Sequence, residues 1–150
     1  MKAMVVTAAL IVEGRKILVS QRKEDVPQAL LWEFPGGKVN KEEEPRQALR
    51  RELEEELGIK AEVGPLVDVV FHNYPEYSVL LLIYLCRLKR GIPTPLGCRD
   101  LRWVDVSELE TLPMPQADQP IQKHLRELCS SLATSTHSER EKGRVGQRVE

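Results

Sequence analysis

Residues 36–59 read GGKVNKEEEPRQALRRELEEELGI, and the fold turns on how this stretch is understood. Pro45 suits the first turn of a helix and Gly58 suits its end. The residues between them are strong helix formers. With Ala48 set at zero on a helical wheel, Glu55, Glu52 and Glu56 fall at about −20°, 40° and 80°, and Leu49, Leu53 and Leu57 at about 100°, 140° and 180°. Three carboxylates therefore border the leucine face that must be buried, while Arg50 and Glu54 take the far side.

Two readings follow from that placement. A solvated charged face would put oppositely charged partners four residues apart. Here Glu52 and Glu56 share a sign at that spacing, at a cost of about a few tenths of a kcal/mol on a surface and more beside a core, where carboxyl pKa values rise. Arg51 precedes Glu55 in the less favourable order. The second reading places a hard divalent cation among the carboxylates, since Mg²⁺ takes oxygen ligands and combines a few carboxylates with substrate phosphates. Gly36-Gly37 admits either a tight turn or a close backbone approach with a carbonyl on offer.

Outward from the helix the pattern is mixed. AMVVTAALIV, then EGRK, then ILVSQR predicts paired strands around a turn. Residues 23–35, with Pro27 and Pro35, read as a loop. EVGPLVDVVF, YSVLLLIYLCRL and DLRWVDV read as strands, the second the most buried, and GIPTPLGC as a loop. SELETLPMPQAD reads as a short helix or turn. In QPIQKHLRELCSSL, the recurrence of Ile121, Leu125, Leu128 and Leu132 predicts a last helix. The expectation is an α/β domain over residues 1–132, a mixed sheet with helices packed on it, followed by a polar, flexible tail at 133–150.

Composition limits the function. A net charge of −1 gives no general electrostatic reason to bind a nucleic-acid polymer or an acidic membrane. The apolar run Met4 to Val12 is too short to span a bilayer and lacks a signal-peptide cleavage pattern. Three cysteines, Cys86, Cys98 and Cys129, lack metal-like spacing and read as reduced thiols in a cytoplasmic setting. Monomer and homodimer both stay open.

Gly37, five residues, Glu43, seven residues, Arg51-Glu52-Leu53, one residue, Glu55-Glu56, one residue, Gly58-Ile59 resembles the Nudix box at all nine of its fixed positions across 23 residues. WEFPGG before it and the flanking strands look like MutT-type members of that family, over roughly residues 3 to 132. The resemblance implies an α/β/α Nudix sandwich and a nucleotide hydrolase. It implies Mg²⁺, or Mn²⁺, held by Glu52, Glu55, Glu56 and the Gly37 carbonyl, with Glu52 also acting on the attacking water. Glu43 and Arg51 would join loop to helix. MutT relatives often carry a further Glu on the loop before the RWV strand; here Gly97-Cys98 stands there, leaving Asp100 or Glu76 as replacements.

On the substrate side, Arg22 matches an arginine that contacts substrate phosphate, its plain alternative being a strand-end charge. Trp32 and Phe34 could pack against a base or simply fill the core. Asp118 stands where relatives read a base edge; as an Asp just before Pro120 it could equally cap the last helix. The MutT-like flanks imply a nucleoside triphosphate cut to monophosphate and pyrophosphate, with 8-oxo-dGTP or CTP as the candidates. ADP-ribose or dinucleotide polyphosphate hydrolysis is a rival within the fold, and a non-catalytic Nudix sensing domain is a rival of another class. Because the tail has almost no apolar residues to dock, truncation after Ala133 is expected to leave kcat and Tm unchanged; loss of turnover in the truncated chain would overturn the 1–132 boundary.

Overall fold

The structure is a computed structural model and describes residues 3–125 and 127. Seven strands run β1 (Ala3–Glu13), β2 (Lys16–Gln21), β3 (Trp32–Glu33), β4 (Gly36–Lys38), β5 (Lys60–Asn73), β6 (Ser78–Arg90) and β7 (Asp100–Asp105). Helix α1 (Pro45–Leu57) lies between β4 and β5. After β7 come 3-10 turns at Val106–Thr111 and Gln116–Asp118. A second helix, α2, covers residues 119–125.

The sheet order is β3-β2-β1-β6-β5, with β4 added to β1 and β7 to β2. β1 is the hub. It runs parallel to β6 from Ala3 opposite Ser78 to Ile11 opposite Cys86. Its other edge takes β4 antiparallel, with Thr7 opposite Gly37, and further on it takes β2. A turn at Gly14 joins β1 to β2, with φ of 63°, a left-handed conformation that glycine adopts without a Cβ clash.

Because side chains alternate along a strand, β1 feeds two cores. Ala8 and Leu10 join Ile17, Leu81, Ile83, Leu109, Ile121 and Leu125 on one face. Ala9 and Ile11 meet Leu49, Leu53, Leu57 and Tyr84 on the other. α1 covers the second face and α2 the first, which makes the expected mixed sheet between helices. The helix limits also follow from the sequence. Glu44 is the N-cap, its carboxylate accepting from the N–H groups of Arg46 and Gln47, and Pro45 fills the first turn. Gly58 closes α1 in the left-handed region and its N–H reaches the Glu54 carbonyl at 3.0 Å.

Two expectations need correction. Residues 23–35 are not loop throughout: Trp32–Glu33 forms β3, pairing with Ser20 and Gln21 of β2. The glycine pair is also not a free turn, since Gly36–Lys38 is β4. The register explains why glycine is needed there. A Cβ on Gly36 would lie 2.0 Å from the Thr7 carbonyl oxygen. Leu128, Leu132 and the tail at 133–150 lie outside the described residues.

α1 contributes little stability by propensity alone and is held by its buried leucine stripe. Leu53 is 1% exposed at the centre of that stripe. Leu53→Ala is expected to lower unfolding stability by about 2–5 kcal/mol, read as a lower urea midpoint with an unchanged slope.

Candidate active site

The box residues meet where β4 lies beside α1. Gly37 faces the helix so closely that a Cβ there would fall 2.3 Å from the Glu52 carboxyl carbon. The missing side chain is the space that Glu52 occupies. On the other side, the Thr7 hydroxyl, fully buried, donates to the Gly37 carbonyl oxygen at 3.2 Å.

Arg51 holds the assembly. Its Nε and Nη2 donate to the two carboxylate oxygens of Glu43 at 2.8 and 3.0 Å. Nη2 also reaches the Lys38 carbonyl at 3.1 Å. Nη1 donates to Glu52 at 3.1 Å and to Glu55 at 3.2 Å. Glu43 in turn accepts the Asn40 N–H. These bonds, that from Arg51 first, hold the Glu43 carboxyl below its usual range. The loop 40–43 is thereby tied to the helix by a two-pronged, charge-assisted contact.

One guanidinium does not neutralise the cluster. The Glu56 carboxyl is pushed up to about 7, first by loss of hydration and then by repulsion from Glu52 and Glu33, with Lys23 opposing. Burial also raises Glu52, against the pull of Arg51. The loop before β7 closes over this end of the helix. The N–H groups of Leu96 and Gly97 both donate to the Glu56 carbonyl at 3.0 Å, and a Cβ on Gly97 would stand 3.1 Å from the Glu56 Cγ. The Cys98 thiol beside it is pushed up to about 11, mainly by burial and next by the Glu56 charge.

Of the two carboxylates that could stand in for the missing loop Glu, Asp100 lies at the Cys98 thiol, on which Glu56 also acts. Asp100 caps the Leu101 N–H beside it, and Glu76 is exposed between β5 and β6. The additional acid that bears on Glu56 is Glu33 of β3. Sequence reasoning passed over it, although it sits in the quoted WEFPGG stretch. Glu33 pairs with Arg22 at 3.0 Å, and Arg22 also donates to the Pro27 carbonyl at 2.8 Å. Burial raises the Glu33 carboxyl despite that partner. Glu33 and Arg22 also act on Asp118, which is 7% exposed. Burial first, then the Glu33 charge, lifts the Asp118 carboxyl well above its ordinary value. Asp118 sits inside a 3-10 turn that leads directly into α2, and the next residue, Gln119, is already helical. It therefore lacks the extended backbone of a capping residue. The turn is fastened to β5 by the Ala117 N–H donating to the Tyr74 hydroxyl at 2.9 Å and by a 2.9 Å contact between His72 and Gln116.

Trp32 and Phe34 are buried in the core on the α2 face, at 7% and 3% exposed. Arg102 stacks on the Trp32 ring, 4.7 Å from its centroid. The site is thus an acidic lip of Glu52, Glu55 and Glu56 continuing inward, through Glu33, to a corner formed by Arg22 and Asp118. Its donors are oxygens that repel one another, a set suited to a hard divalent cation. Among the described residues, no three His, Cys, Asp or Glu side chains already converge as a finished metal cage.

Comparison with known proteins agrees with this geometry. A family model described as the NUDIX domain matches residues 7–124. The 8-oxo-dGTP diphosphatase of Escherichia coli is 30% identical over 116 residues, 77% of this chain and 90% of that protein. The CTP pyrophosphohydrolase of the same organism is 57% identical over 67 residues; that match spans 45% of this chain and only half of the relative's length. The solution structure of the E. coli ORF135 protein superposes with a TM-score of 0.75 at 36% identity, over 87% of this chain and 94% of that one.

Glu56 gives a pH test of the cluster. Its pKa is raised on folding, so the folded state binds more protons than the unfolded state between about pH 4.5 and about pH 7. Stability must then fall as pH rises through that window. In EDTA, Tm is expected to decline from pH 4.5 to 7 more steeply for the wild type than for Glu56→Gln. Equal slopes in thermal melts of the two proteins would remove the strain assigned to Glu56.

Proposed function

The chain belongs to the Nudix family of hydrolases, and on that premise we propose that it cleaves nucleoside triphosphates to the monophosphate and pyrophosphate, as a cytoplasmic enzyme of nucleotide-pool sanitation. Our reading takes 8-oxo-dGTP or a related oxidised dNTP, or CTP and dCTP, as the substrate. The observation that carries it is the joining of an acidic, phosphate-processing lip to a corner with two raised carboxyls. Such a corner reads a base edge, whereas a bare phosphate site has no use for it.

Divalent metals are general to Nudix hydrolases, and Glu52, Glu55, Glu56 and the Gly37 carbonyl are the groups that would hold Mg²⁺ or Mn²⁺ here. Bound there, such an ion supplies charge neutralisation for the phosphates and acidifies water. The protein's own residues divide the remaining work. Glu52, wedged against Gly37 and steered by Arg51, orients the attacking water and takes its proton. Arg22 presents a guanidinium at the inner corner, where it can hold phosphate by exchanging its bond to Glu33. Asp118, its carboxyl raised by burial, can accept from a base edge and, when protonated, donate to it. Glu33 bears on Glu56 and on Asp118, and so sits between the phosphate and base ends.

Relatives named 8-oxo-dGTP diphosphatase and CTP pyrophosphohydrolase support this class over the ADP-ribose rival. The intact glutamates weigh against a non-catalytic domain, which has no physical need for a repulsive cluster. Pyrophosphate release from 8-oxo-dGTP, dGTP, CTP, dCTP, ADP-ribose and a dinucleotide polyphosphate, each with and without Mg²⁺, tests the reading. The triphosphates are expected to release pyrophosphate only with metal. Glu52→Gln is expected to lower kcat about a hundredfold or more with Tm held. Asp118→Ala is expected to compress kcat/KM differences among the four triphosphates by about ten- to a hundredfold. Faster cleavage of ADP-ribose than of every triphosphate would move the chain to the rival activity.

A further inference from the structure

On the flank of α1 away from the glutamates lies an open cleft of ≈ 660 Å³. One wall is the helix stripe of Gln47, Arg50 and Glu54, which share a face by their spacing. The other is the start of β5 with the end of β6, where Lys60 pairs in register with Arg90. Ile59 and Ala61, at 1% and 7% exposed, form its apolar floor. The end of β6 packs closely against the helix end: a Cβ on Gly91 would meet the Gly58 carbonyl oxygen at 2.8 Å.

The charge of this cleft is lopsided. Five cationic side chains line it against one carboxylate, that of Glu54. Glu54 already pairs with Lys60 at 3.4 Å, and Arg51 is committed to the box. The nearby Glu62 is also taken, by Arg87 at 2.6 Å. Arg50, Lys89 and Arg90 remain exposed with no carboxylate partner among the described residues. In a chain whose net charge is −1, three cations without a carboxylate partner among the described residues share one concavity. Two arginines and a lysine suit phosphoryl oxygens, which accept forked bonds from guanidinium. A volume within the range of small-molecule sites has room for several linked phosphoryl groups.

We propose that this cleft is a second, metal-independent site for an oligophosphate chain, bound by Arg50, Lys89 and Arg90 and separate from the catalytic lip. The separation supplies the test. Without divalent metal the glutamate lip repels polyanions, so oligophosphate binding in EDTA reports the cleft. Calorimetric titration of the full chain with tripolyphosphate in EDTA at low ionic strength, where surface charges are least screened, is expected to show saturable binding. The Arg50→Gln, Lys89→Gln, Arg90→Gln triple variant is expected to weaken it about tenfold or more, while its circular dichroism melt stays that of the wild type. Arg22→Ala, which alters the inner corner of the active site, is expected to leave it unchanged. The same titration with CTP, on the wild type and the triple variant, separates the two sources of the chain: tighter CTP binding that the triple variant weakens assigns the nucleoside-borne form, and tighter tripolyphosphate binding assigns the free form. No saturable binding in the wild type, equal affinity in the triple variant, loss with Arg22→Ala, or equal displacement by sulfate at matched ionic strength would each overturn it.

Discussion

Arg51 is the contact on which the rest is hung. Its guanidinium reaches Glu43 in the loop, the Lys38 carbonyl at the end of β4, and Glu52 and Glu55 on its own helix. A lysine has one compact charge and cannot hold a planar fork in three directions. The fork sets the distance between β4 and α1, and that distance lets Glu52 occupy the space above Gly37. The charge of Arg51 also falls short of the charge it faces. Beside it the Glu56 carboxyl is raised, first by lost hydration and then by repulsion from Glu52 and Glu33.

Burial acts at both ends of the site. At the lip, lost hydration raises Glu56 first, and repulsion from Glu52 and Glu33 adds to it. At the inner corner, Asp118 is raised first by burial. Glu33 couples the two, since its charge acts on both neighbours and is itself moderated by Arg22. Displacing Arg22 toward a phosphate would leave Glu33 less compensated and favour its protonated form.

Much of this was legible from residue order. Pro45, Gly58 and the leucine spacing defined α1 to the residue, and the box placed Glu52 beside Gly37 before any coordinates. The misses have a common cause. β3 is two residues long and holds its conformation by pairing with β2, a partner eleven or more positions upstream, and by the Trp32 N–H donating to the Pro113 carbonyl, so no local pattern announces it. Glu33 was overlooked with it. Asp118 before Pro120 satisfied a local capping rule, yet tertiary contacts through Tyr74 and His72 place it in a buried turn. For Trp32 and Phe34 the sequence left base packing and core packing open, and the fold buries both in the core. Long-range pairing, which a linear reading does not contain, decided each of these.

The parallel alliance of β1 with β6 carries a kinetic implication. Ala3 meets Ser78 and Ile11 meets Cys86, partners about 75 positions apart in the chain. Closing so long a loop costs entropy before any contact rewards it, and topologies rich in such contacts fold slowly. The β5–β6 hairpin and α1 can form from neighbours in sequence. Thr7, which steadies the Gly37 carbonyl, belongs to β1. The chemistry-bearing corner is thus completed only when β1 docks between β4 and β6, so an incompletely folded chain would hold much of its secondary structure and still lack a working site.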